Sequence, residues 1–205
     1  HDDDYEITKL TISNENAINQ VGIFGSNGGN YTDPNYDGPG GGGAHSDGSS
    51  SANGMGGSGK IYNIRDGTNR YYGGGGGGGG INLEENGGLG GGGNGGYSTE
   101  TYPSESGNDG INGTGGGGGG AFANSPHSSN NCNQYNGGRG GNGCVIIRTL
   151  IENKSKIGGV PTYENEYSFN GQNYISYTYE KINPNYGIGE NMFHVNVDED
   201  IPCDI

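Results

Sequence analysis

Apolar residues gather in three places along the chain: Ile7 to Phe24, Cys144 to Leu150, and Tyr163 to Val197. None of these stretches carries the 3.6-residue repeat of an amphipathic helix, so strands are predicted throughout. Over residues 5–12, Tyr5, Ile7, Lys9 and Thr11 would share one face and Glu6, Thr8, Leu10 and Ile12 the other. Neither face is cleanly apolar, but β-branched side chains favour the extended form. Ala17 to Phe24 is a second short apolar run, and Cys144 to Leu150 predicts a strand over 144–150. Asn170-Gly171 lies between two Tyr-rich arms, 166–169 and 172–180, and predicts a two-residue β-hairpin. In its second arm Ile175, Tyr177 and Tyr179 fall on one side. Met192 to Val197 alternates, with Phe193, Val195 and Val197 together, and predicts a further strand.

Between the first two clusters, glycine replaces any hydrophobic pattern. The 205 residues include 50 glycines, and all but five lie between Gly22 and Gly143. A helix loses about 1 kcal/mol at each glycine. Collagen is excluded because glycine does not recur at every third position and there are only seven prolines. Two readings remain. One is a flexible linker. The other is a bundle of threefold extended helices in the polyglycine II form, whose bare backbones approach closely enough to hydrogen-bond side by side. Varied insertions separate the runs: Ala44-His45-Ser46-Asp47 follows Gly40 to Gly43, and Ile81-Asn82-Leu83-Glu84 follows Gly73 to Gly80. This pattern of rod, loop, rod favours the bundle. At about 3.1 Å per residue, the run of eight would extend about 25 Å.

The segment Gly137-Gly138-Arg139-Gly140-Gly141-Asn142-Gly143-Cys144-Val145-Ile146-Ile147-Arg148 resembles the closing signature of glycine-rich domains in phage tail-fibre proteins, adhesins and extracellular eukaryotic modules. The likeness covers roughly residues 5–150. It implies polyglycine II helices enclosed between β-strands, serving adhesion or assembly without catalysis. Cys144 and the Asn- and Tyr-rich insertions depart from the usual pattern. The expected fold is therefore all-β: a sandwich-like strand frame around a polyglycine II bundle, with no substantial α-helix. Three segments follow: 1–24 as a possible donor strand, 25–150 as the glycine-rich domain, and 151–205 as a Tyr-rich strand region.

Charge and candidate chemistry narrow the function. A net charge of −14 with only nine Lys and Arg argues against nucleic acid. No apolar run is long enough for a membrane helix. The polar start at His1 reads as mature, processed material. No nucleophile elbow, phosphate loop or His-Glu-x-x-His pair occurs, so no catalytic residue and no cofactor are expected. The four histidines stand apart and the acidic ends read as solvated, so no metal site is expected. Cys132 and Cys144 are expected to form a disulfide worth about 2–4 kcal/mol, with Cys203 paired elsewhere; three free thiols are the competing reading. Asn30, Asn112 and Asn153 head Asn-X-Ser/Thr acceptor sequences and point to an extracellular glycoprotein.

These features predict a structural subunit of an extracellular filament or surface coat that self-associates by strand exchange. Residues 5–12 are the candidate donor; 163–197 or Val145 to Leu150 are the candidate acceptors. The alternative is an adhesin that binds surface glycans through its Tyr- and Asn-rich loops, with Tyr102 and Tyr135 as recognition residues.

Overall fold

A computed structural model describes residues 25–31, 37–81, 85–98, 105–122, 135–180 and 194–195. Within them the fold is built from strands and extended segments. Its single helical element is a 3-10 helix, Ile151–Lys156. The strands are β1 (Lys60–Tyr62), β2 (Arg70–Tyr72), β3 (Gly80–Ile81), β4 (Tyr97–Ser98), β5 (Cys144–Leu150), β6 (Ile157–Gly158), β7 (Tyr163–Phe169), β8 (Gln172–Glu180) and β9 (His194–Val195). β1–β2, β3–β4 and β6–β9 are two-stranded pairs, and β5-β8-β7 is an antiparallel three-stranded sheet.

The hairpin expected at Asn170-Gly171 joins β7 to β8. Both turn residues have positive φ, 49° and 79°, as the primed turn requires. β5 spans the seven residues expected for it and pairs with β8 from Cys144↔Glu180 to Leu150↔Tyr174. Of the strand expected over Met192 to Val197, the two described residues pair with β6, Ile157 opposite Val195. The stretches 5–12 and 17–24 lie outside the described residues. The strands at Lys60–Tyr62 and Arg70–Tyr72 lie between glycine runs, where no hydrophobic pattern predicts a strand. They pair Lys60 with Tyr72 and Ile61 with Tyr71, and the Tyr62 and Tyr72 rings stand 6.5 Å apart.

The side-chain core is small and lies on one face of the three-stranded sheet. Ile147, Ile175, Tyr177 and Tyr179 form it, with Ile157 packed against them. Ile175 is fully buried, and Tyr177 and Tyr179, expected on its face, are buried beside it, while Ser176 and Thr178 are buried on the opposite face. The 3-10 helix covers this side: the Tyr177 hydroxyl donates to the Lys154 carbonyl (3.3 Å).

The glycine segments are held by a different means. Among the described residues they hydrogen-bond backbone to backbone. Gly74, Gly77 and Gly80 donate to the carbonyls of Gly90, Gly93 and Gly96 at 2.9–3.1 Å. Gly117 and Gly120 donate to Gly74 and Gly77 at 2.8 Å. Gly74 through Gly80 are all buried. Approach is so close that a methyl group on Gly75 would fall 2.1 Å from the Gly41 carbonyl oxygen, and one on Gly95 would overlap that of Gly78. Only glycine permits this density of backbone.

Candidate assembly surfaces

The opposite face of the sheet is the seam with the glycine-rich part, and the β1–β2 loop is its hinge-pin. The Tyr167 hydroxyl donates to the Ile64 carbonyl at 2.8 Å, and the Ser176 hydroxyl to the Arg65 carbonyl. The Arg65 guanidinium lies 4.4 Å from the centre of the Tyr163 ring and 3.6 Å from Glu180; the Arg65 and Glu180 side chains are mostly shielded from water, while Tyr163 is exposed. Gly67, at φ 77°, lets the loop lie against the Tyr167 ring. Asp66 stiffens the loop by accepting from Arg70 (3.1 Å from Nε) and from the Thr68 amide (3.1 Å). The Arg70 hydrogen bonds hold its carboxyl down at about 2.

The two edges of the sheet differ in chemistry. β7 carries Glu164 and Glu166, which share Lys154 at 2.8 and 3.1 Å. The two carboxylates raise the Lys154 ammonium above its ordinary value. A charged edge discourages a further strand. β5 is the other edge among the described residues, and Arg148 is its one charged residue. The two-residue hairpin closes on Phe169↔Gln172, and antiparallel pairs alternate between bonded and unbonded. By that alternation Val145, Ile147 and Thr149 bond to β8. The peptide groups of Ile146, Arg148 and Leu150 therefore point outward.

The expected disulfide is corrected here. Cys144 is a free thiol, half-buried at the head of β5. It lies opposite Glu180 in the seam, where the β5–β8 register places it. Burial and then Glu180 push the thiol up from its ordinary value. A spacing of twelve residues does not aim the Cβ vectors as a bridge requires. Cys132 and Cys203 lie outside the described residues.

The other sequence-derived residues are scattered. Asn30 is exposed at the end of the first glycine segment, where its carbonyl accepts from Ser51. Asn112 is exposed in a turn, and its side-chain oxygen accepts from the Asn142 amide at 2.9 Å. Asn153 is half-buried in the 3-10 helix. Tyr135 is half-buried at the start of the last glycine segment, and Tyr102 lies outside the described residues. The structure brings no two of the four described, Asn30, Asn112, Asn153 and Tyr135, together. Among the described residues no three His, Cys, Asp or Glu side chains gather as metal ligands, and no helix is long and apolar enough to cross a membrane. Sequence reasoning missed the Arg65–Glu180–Tyr163 clamp and the burial of Glu85, whose carboxyl is raised by burial and by nearby Asp37.

A mostly-strand chain whose interior is largely glycine backbone, with a small sheet attached, is a glycine-rich β protein. The chain belongs to the glycine-rich domain family, whose model matches residues 9–150. No curated protein and no solved structure matches it significantly.

Proposed function

We propose that this chain is a structural subunit of an extracellular filament or surface coat, built on a polyglycine II bundle and joined by strand augmentation. The observation that carries the reading is the threefold spacing of the backbone bonds. Donors at Gly74, Gly77 and Gly80 meet acceptors at Gly90, Gly93 and Gly96, the three-residue turn of that helix. A block held this way is stiff and offers few side chains for chemistry. Family membership is consistent with such a role.

The joint we propose is the outer edge of β5. It has less charge than β7, and its peptide groups at Ile146, Arg148 and Leu150 are aligned for another strand. Residues 5–12 of a neighbouring copy are the proposed donor. Electron microscopy of concentrated protein, with and without excess synthetic peptide of residues 5–12, tests this. Filaments or sheets that the peptide shortens are expected. Particles that stay monodisperse at every concentration would overturn the reading.

A further inference from the structure

The run Gly73 to Gly80 is the central rod of the glycine block. Threefold rods pack six around one, and five segments take consecutive places around it: 38–44, 54–59, 85–88, 90–96 and 114–120. Successive members of that series also bond to one another: Gly57 to Gly41, Gly56 to Asn86, Gly95 to Glu85, and Gly93 to Gly117. The sixth place, between 38–44 and 114–120, is a groove of about 380 Å³, floored by Gly76 to Gly79 and walled by Pro39, Gly41, Gly118 and Ala121 among others.

Bond directions around the central rod alternate. Between Gly74 and Gly80 it accepts from 38–44, donates to 54–59, accepts from 85–88, donates to 90–96 and accepts from 114–120. The sixth place therefore takes donors. The amides of Gly76 and Gly79 are the set left for it, since neither gives to a backbone carbonyl of a described residue. Both nitrogens lie at the groove floor, as the nearest atoms to a carbon added at Gly38, Gly41, Gly117 or Gly120, at 3.1–3.4 Å. On the walls, the carbonyls of Pro39, Gly118 and Ala121 accept from no described backbone amide. An occupant must set carbonyls on the floor and amides on the walls.

We propose that the groove binds an extended partner chain with glycine at every third position, running as a threefold helix beside the central rod. Three rods enclose the site, and such a chain turns one residue in three into the enclosure. Carbons added at the enclosed positions Gly77 and Gly78 of the central rod would fall 2.0 Å from backbone oxygens, so that residue of the partner must be glycine. Hydrogen bonding fixes the other two. In the central rod one residue serves two adjacent neighbours, as Gly75 does by donating to Gly57 and accepting from Gly88. The residue after the partner's glycine does the same, accepting from Gly76 or Gly79 and donating to a wall. The third residue faces water. Proline therefore fits the third position, where it holds the threefold form, and not the second, where an amide is needed. No segment of this chain outside the described residues carries two glycines three apart, and the described glycine segments are already bonded within the block. The occupant is thus a separate chain. The inference rests on the polyglycine II reading given above and leaves the β5 edge free for the joint.

Fluorescence anisotropy of labelled peptides with the intact chain is the test. A peptide of repeated Gly-Ala-Pro is expected to bind. Repeated Gly-Pro-Ala, which lacks the needed amides, and repeated Ala-Ala-Pro, whose methyl groups meet the enclosure, should bind at least about tenfold more weakly. Gly41→Leu fills the groove from its wall and should weaken binding as much, whereas Gly28→Leu, at an exposed site, should not. In the unaltered protein, bound Gly-Ala-Pro peptide should slow amide exchange at Gly76 and Gly79. No binding, equal binding of all three peptides, or binding that leaves these two amides unchanged overturns the proposal. So does a fall in particle mass caused by Gly41→Leu without peptide, which assigns the groove to a second copy. Exchange at Gly74 and Gly77 separates the causes. Protection there without peptide binding refutes the docking alone, whereas rapid exchange refutes the bundle as well.

Discussion

Replacing Gly77 with alanine tests whether backbone proximity holds the molecule together. A Cβ at this position would fall 2.0 Å from the Glu85 carbonyl oxygen, where ordinary contact begins near 3.4 Å. The atom in the way is backbone, so no rotamer change relieves the clash. Segment 85–88 would have to retreat by more than an ångström. That strains Gly95→Glu85 (2.8 Å), Gly56→Asn86 (2.9 Å) and Gly88→Gly75 (2.8 Å). Each buried amide or carbonyl left without its partner costs about 1–3 kcal/mol. With partial relaxation, the expected loss is about 3–5 kcal/mol. Gly28→Ala is the matched comparison, since its added carbon stands 3.6 Å from its nearest neighbour. It should be neutral or stabilise by about 0.4–1 kcal/mol, through the unfolded chain. Urea unfolding followed by circular dichroism measures both. Equal stability for the two variants would refute the reasoning, because a loose glycine coil is indifferent to where a methyl group is placed.

Three further outcomes are expected. Arg65→Ala should lower stability by about 1–3 kcal/mol in urea unfolding, by removing a shielded ion pair and a cation–aromatic contact together; Arg65→Lys should recover only part of this, since it loses the flat stacking on Tyr163. Asp66, held at about 2 against an ordinary 3.8, contributes stability that is present above 3.8 and lost as pH falls through 2; for a partly exposed pair this is about 1 kcal/mol, and Asp66→Asn should flatten that part of the acid titration. Cys144 should alkylate without reductant at pH 7, more slowly than a free model thiol because burial and Glu180 disfavour its thiolate; a Cys144 that reacts only after reduction would contradict the free-thiol assignment.

Local signals were legible where side chains carry them. Asn170-Gly171 marked its hairpin because few dipeptides tolerate two positive φ angles. The period-two pattern put Ile175, Tyr177 and Tyr179 on one face, and that face carries the small hydrophobic core. Glycine content announced close backbone packing, but a residue without a side chain encodes no partner, so which glycine segments hydrogen-bond to which could not be read from it. Arg65 and Glu180 stand 115 positions apart, and nothing local joins them. Cys144 misled for a related reason: sequence spacing suggested a bridge, while its position opposite Glu180 in the seam was set by the β5–β8 register.

Amide hydrogen exchange across Gly73 to Gly80 tests the central claim most directly. Every amide in this run would exchange at the rate of an unfolded peptide if the segment were a linker. The hydrogen-bonded bundle instead predicts strong protection at Gly74, Gly75, Gly77, Gly78 and Gly80, each of which donates to a neighbouring segment at 2.7–3.1 Å, with opening limited by unfolding of the domain. Uniform fast exchange through the run, in protein whose β5-β8-β7 sheet is itself protected, would contradict the account.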